Sequence, residues 1–214
     1  MSGIGGDGEA LPRSTAGGAQ GDGISAGAVV ALGHAPPAPG PYPIGLAAIL
    51  ATVGMLFAAF TAALLVRRTG ADWVPVRLPG IVWLNTALLV ASSAAVQRAR
   101  GVMRRGASGP AVRWLAAGSV LGLLFLAGQL VAWRMLAARG VFLPTNPHAA
   151  FFYTLSAVHG AHVLGGLGAL GWTLRRAAGG AYTAARHIGL SHAAIFWHFV
   201  GGVWVYLLTL LSTL

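Results

Sequence analysis

Residues 151–174 read FFYTLSAVHGAHVLGGLGALGWTL. No side chain in the stretch carries a fixed charge, and about 20 apolar residues are enough to cross a bilayer as a helix. In a helix, positions i, i+3 and i+4 share one face. His159 and His162 therefore neighbour one another. Ala157, Ala161, Gly165 and Ala169 form a stripe of small residues, which predicts a groove for another helix. The other apolar stretches are expected to pack around this one.

Composition marks the chain as an integral membrane protein. Of its 214 residues, 56% are hydrophobic and 8% charged, whereas soluble domains average about a quarter charged. There is no cysteine, which excludes a disulfide framework and any thiolate metal site. The formal net charge is +10, and all fourteen basic residues are arginine. They fall in short loops between apolar spans, so the positive-inside rule accounts for them and no nucleic-acid partner is implied. The four acids are Asp7, Glu9, Asp22 and Asp72. None lies in a span, which excludes an intramembrane carboxylate relay or a paired-carboxylate hydrolase built from this chain alone.

Residues 1–40 are rich in Gly, Ala and Pro and poor in large apolar side chains. The composition predicts a disordered tail rather than a signal peptide. Residues 41–214 form the second part, an all-α, polytopic bundle of five transmembrane helices. The expected spans are about 44–66, 78–97, 114–133, 148–174 and 188–214; the first follows Pro41-Tyr42-Pro43, and each is followed by arginine or runs to the last residue given. Arginine counts orient them. The tail and the loops after spans two and four carry Arg13, Arg98, Arg100, Arg104, Arg105, Arg113, Arg175, Arg176 and Arg186. The opposite side carries Arg67, Arg68, Arg77, Arg134 and Arg139. Nine against five predicts a cytoplasmic N-terminus and an external C-terminus.

Imidazole is a common ligand of haem iron and copper. His159, His162, His192 and His198 stand at membrane depth in spans four and five, so a bis-histidine haem between those helices is one reading. The bland alternative has each ring hydrogen-bonded to a carbonyl, a hydroxyl or a headgroup, and no spacing specific to a ligand set favours the haem. His34, His148 and His187 read as wet loop or interface residues. Gln129, Asn85-Thr86 and Ser92-Ser93 read as interhelical packing contacts. Arg67, Arg68, Arg134, Arg175 and Arg176 sit at span ends, where a guanidinium can hold a lipid phosphate. The chain shows no nucleophile elbow, phosphate loop or zinc set, which favours a subunit of a larger assembly over a self-sufficient enzyme.

Four ordered stretches resemble subunit III of the haem–copper oxidases, the cytochrome c and quinol oxidase family. They are Leu84-Asn85-Thr86 with Leu88-Leu89 and Ser92-Ser93; Leu121-Gly122 with Phe125 and Gln129; Phe151-Phe152 with His159-Gly160-Ala161-His162-Val163; and Trp197-His198-Phe199-Val200 with Trp204. The resemblance runs from about Ile44 to the C-terminus. It implies the five-helix bacterial form, in the inner membrane, of a complex that reduces dioxygen to water and pumps protons. It also implies that this subunit has no catalytic residue and no haem or copper of its own, the cofactors residing in partner subunits. Packing on subunit I, with subunit II in the same complex, phospholipid held between helices, and support of proton uptake and turnover stability are further implications. A respiratory supercomplex is compatible with it. Gln129, His159, His162, Trp197, His198 and Trp204 would then be structural or lipid-facing. Two positions depart from the family pattern: Ala132 and Gly201 stand where the family commonly has acids. Those losses keep open the related accessory subunit of nitric oxide reductase systems.

Overall fold

A computed structural model describes residues 41–182 and 188–213, with side chains from Ile44 onward. The tail reading and the positions Arg13, His34, Arg186 and His187 lie outside the described residues. Five helices follow in order: α1 Pro41–Arg67, α2 Ile81–Arg104, α3 Ser108–Ala138, α4 Pro147–Ala178 and α5 Ile188–Thr213. There is no strand among the described residues.

Local chemistry sets the boundaries. Pro79-Gly80 delays the start of α2 to Ile81, three residues after the apolar run begins. Gly106, at φ +80°, turns the chain from α2 into α3, a backbone region that side-chain-bearing residues avoid. Asn146 caps α4 by accepting a 2.8 Å hydrogen bond from the Ala149 N–H, and Pro147 fills the first helical position, where its missing N–H costs nothing. The α2, α3 and α4 helices outlast the apolar spans, because arginine stems can follow a helix into the interface while their charges reach water.

By length and composition, α1, α3 and α5 each qualify alone as membrane-crossing helices. The α2 and α4 helices are long but carry more polar side chains, among them Asn85, Ser92, Ser156, His159 and Thr173, all buried. Their polar groups face the bundle and their outer faces stay apolar. Met55 is 73% exposed, Leu84 61% and Leu164 58%. Such outward apolar side chains suit lipid, not water.

The packing is a closed ring of four helices, not a cluster around α4. The α2 helix packs on α3 and α5, and α4 on α3 and α5, while α2 and α4 make no direct backbone approach. The α1 helix lies outside the ring, against α4 and α5 only. The small-residue stripe is also displaced from its expected role within the chain. Ala157, Ala161, Gly165 and Ala169 are exposed, and α4 turns Ser156, His159, Val163, Gly166 and Leu170 inward instead. The stripe lost the competition because the opposite face offers larger side chains for burial.

The centre of the ring is Trp197, 1% exposed. A Cβ added to Gly122 would stand 2.6 Å from its ring, and one added to Gly166 would stand 2.9 Å away. The indole thus lies between α3 and α4 in space that only glycine leaves free. Gly166→Ala is expected to lower stability by about 1–3 kcal/mol through overpacking. Gly168→Ala, where a Cβ meets nothing within 4 Å, is expected to be neutral or slightly stabilising. Unfolding of both variants in mixed detergent micelles checks this.

Candidate functional site

The residues singled out in the sequence meet in two adjoining layers inside the ring. In the first, the Trp197 indole N–H donates to Ser92 Oγ at 3.1 Å, and that hydroxyl donates to the Gly118 carbonyl at 2.6 Å. One serine therefore joins α5, α2 and α3. Gly118 is needed for the approach, since a Cβ there would stand 2.7 Å from Val96.

The second layer lies two turns further along α5. The Trp204 indole N–H donates to Thr86 Oγ1 at 3.0 Å. Its ring stacks on His159 at 5.1 Å between centroids and takes the edge of Phe125 at 5.1 Å. Phe125 and Phe57 also flank His159, at 5.9 and 6.3 Å. The neighbouring Asn85 amide donates to Gln129 Oε1 across a long 3.5 Å contact. Gly128 makes room for it, because a side chain there would overlap the Asn85 amide. Both nitrogens of His159 and the Gln129 Nε2 are buried without a hydrogen-bond partner.

The other candidates stand apart from this core. His162 is half-buried; its Nδ1 lies 2.8 Å from the Val158 carbonyl and its ring packs on Phe57 at 5.6 Å. His198 faces α2, 3.3 Å from Gln97 Oε1. His159 packs on Trp204 of α5 whereas His198 turns to α2, so these two rings do not face one another across α4 and α5. Among the described residues no three His, Cys, Asp or Glu side chains converge as a metal-ligand group. What the site can do chemically is hold helices in register through indole and amide hydrogen bonds.

One histidine differs from its sequence reading. His148 is 1% exposed, not wet. Its Nδ1 accepts from the Val76 N–H at 2.7 Å, so Nε2 carries the proton and donates to the Leu211 carbonyl at 3.2 Å. It ties the α1–α2 connection to the end of α5, with Trp73 packed on its ring. A further tie, with no signal in the sequence, runs from the Trp133 indole N–H to Ser156 Oγ at 3.0 Å. A signal for the glycine notches was present: Gly118 and Gly122 form a small-xxx-small pair in α3.

The arginines of the rim divide. Arg67 is engaged by Asp72, with its two guanidinium nitrogens 2.7 and 2.5 Å from the two carboxylate oxygens. Arg68, Arg134, Arg175 and Arg176 are exposed. The Arg67 hydrogen bonds hold the Asp72 carboxyl below its ordinary range. Ala132, at the position where the family commonly has an acid, is fully buried, so a carboxylate there would be desolvated.

The fold defines a helical membrane bundle closed by tryptophan hydrogen bonds across glycine notches. The family model described as "Cytochrome c oxidase subunit III" matches residues 45–212. "Cytochrome c oxidase subunit 3" of Thermostichus vulcanus is 33% identical over 201 residues, covering 91% of this chain and 98% of that protein. The protein of the same name from Synechocystis is 30% identical over 78% of this chain and 72% of its own length. "Probable cytochrome c oxidase subunit 3" of Mycobacterium tuberculosis is 32% identical over 126 residues. The chain belongs to the cytochrome c oxidase subunit III family.

Two outcomes test the site. Ser92→Ala leaves the Trp197 N–H unpartnered and is expected to cost about 1–3 kcal/mol; Ser92→Thr, which keeps the hydroxyl, should recover part of it. Unfolding midpoints in micelles decide. The Asp72 carboxyl, lowered in the folded chain, gives its ion pair fully above the unfolded value of about 3.9 and loses it as pH falls through the lower folded value. A carbon-13 carboxyl titration should place Asp72 below a model aspartate, and Arg67→Gln should return it to the ordinary range.

Proposed function

We propose that the chain is the non-catalytic subunit III of a bacterial terminal oxidase that reduces dioxygen to water and pumps protons. It resides in the inner membrane with its N-terminus cytoplasmic and packs on subunit I, with subunit II in the same complex. One observation carries the reading. The four motifs that mark the family converge into the core of the bundle, where Trp197, Trp204, Asn85, Gln129 and His159 are all buried, Trp204 against His159 and Asn85 against Gln129. They are spent on holding the bundle, so redox chemistry belongs to partner subunits holding haem and copper. The relatives' names support an oxidase over a nitric oxide reductase system. The exposed stripe of Ala157, Ala161, Gly165 and Ala169 is suited to a helix of subunit I, since small residues let backbones approach.

Phospholipid binding is part of the same reading. Because α1 touches only α4 and α5, it leaves two clefts. One, of about 420 Å³, lies between α1 and α5 at Gly54, Ala58, Phe199 and Tyr206. The other, of about 1130 Å³, opens between the end of α1 and the start of α4 at Val66, Arg67, Leu143 and Phe151. The first has a mostly apolar lining that suits an acyl chain, and the second joins an apolar wall to Arg67, Thr145 and Asn146, which suit a headgroup. A lipid-filled cleft would brace subunit I and sustain proton uptake through many turnovers.

The test is affinity purification of the tagged chain from aerobic cells in mild detergent, with a visible spectrum and protein identification on the eluate. Haem absorbance that arrives with a large copper-containing subunit, and disappears when the chain is isolated by itself, is the expected result. Haem that remains with the lone chain, or an eluate without oxidase subunits, contradicts the proposal.

A further inference from the structure

A second amphiphile site stands at the other end of the bundle, away from both clefts around α1. Gln97, Arg98, Gly101, Val102 and Arg105 of α2 and Trp114 of α3 enclose a pocket of about 360 Å³. Arg98 lies over the Trp114 ring at 5.1 Å, a cation–π contact that fixes the guanidinium in place. The Gln97 carbonyl is already occupied, by Arg100 at 3.1 Å and His198 at 3.3 Å. That turns its amide N–H₂ into the part of Gln97 left to bind. The pocket thus offers two guanidinium groups and an amide donor, and no acceptor to match them.

Nothing in the described residues neutralises it. Their lone carboxylate, Asp72, is paired with Arg67 and stands before the start of α2. Sixteen residues of that helix precede Gln97, which separates the two by about 24 Å at 1.5 Å per residue, roughly three Debye lengths in physiological salt. An anion must come from outside the described chain.

The surface leading from the pocket says which kind. Arg105, Gly101, Arg98, Ala94 and Ala91 follow one another at intervals of three or four, which puts them on one face of α2. Ala94 and Ala91 are exposed, and a Cβ on Gly101 would meet nothing within 4 Å. A shallow apolar track therefore runs from the charged pocket toward the bilayer centre, with Trp114 at the level where tryptophans anchor helices to the interface. A water-soluble anion would use only the top of this arrangement. A phosphate diester with acyl chains uses all of it, since guanidinium groups match phosphate oxygens and the alanine track takes a chain.

We infer that the pocket between the end of α2 and the start of α3 binds the phosphate of an anionic phospholipid through Arg98, Arg105 and the Gln97 amide, with an acyl chain along Ala94 and Ala91. This needs only that the chain spans a bilayer; it shares no residue with the α1 clefts and does not depend on the oxidase role.

The test uses the full chain, in whatever assembly it purifies with, reconstituted in phosphatidylcholine nanodiscs with increasing phosphatidylglycerol. Retained lipid is counted by native mass spectrometry. Arg98→Gln/Arg105→Gln should weaken retention of one phosphatidylglycerol by roughly tenfold or more, the loss expected for two charge-assisted contacts. Arg104→Gln/Arg113→Gln removes the same charge from the same end of the bundle and should leave it unchanged. Co-purified partner subunits and unfolding midpoints, equal in both variants and the parent, show that the fold survives. Equal weakening in the two double variants would reduce the effect to diffuse surface charge and overturn the site. Displacement of the lipid by millimolar inorganic phosphate would overturn the lipid assignment in favour of a free-phosphate site.

Discussion

The indole of Trp197, held between Gly122 and Gly166 with its N–H on Ser92, is the constraint on which the bundle depends. In a bilayer there is no hydrophobic force to bring helices together, because lipid tails are as apolar as leucine; close packing and interhelical hydrogen bonds must do it. Trp197 supplies both. Its ring fills the space left by two missing side chains on two helices, and its single donor is satisfied by a third. Four helices are thereby fixed by one residue. Trp204 repeats the scheme two turns along, with Thr86 in place of Ser92 and the stacked His159 in place of a glycine notch.

This arrangement explains why polar residues stand at membrane depth. Asn85, Ser92, Gln129, Ser156 and His159 are all buried, and most of their polar atoms are spent on bonds between helices. The exceptions are informative. Three nitrogens on His159 and Gln129 lack partners, and the first is ringed by Phe57, Phe125 and Trp204. That environment makes the ring an aromatic packing element.

Much of the fold was legible in the sequence because five apolar runs between arginines leave few alternatives. The family motifs were legible for the same reason: Trp, His, Asn and Gln are conspicuous against Leu and Ala. What the sequence could not show was which face of each helix turns inward. Ala157, Ala161, Gly165 and Ala169 make a regular stripe, yet the stripe faces out, since burying Phe152, Leu155, Val163 and Leu170 fills the core better. His148 reads in the sequence as a wet loop or interface residue. Only the fold reveals that Val76 and Leu211, distant in sequence, arrive to occupy both its nitrogens. The decisive glycines were hidden in a chain with 32 of them, where any pair at helical spacing looks alike until a large side chain is found against it.

The most direct measurement of the central claim is a double-mutant cycle between Gly122 and Trp197. Gly122→Ala, Trp197→Ala and the double variant would be unfolded under identical micelle conditions. Coupled residues in contact show interaction energies of roughly 0.5–3 kcal/mol, whereas independent sites add. The account predicts that the cost of Gly122→Ala largely vanishes once the indole is removed, because the added methyl then has space to occupy. Strict additivity, with Gly122→Ala equally damaging in the absence of Trp197, would contradict the claim that this ring sets the spacing of the helices.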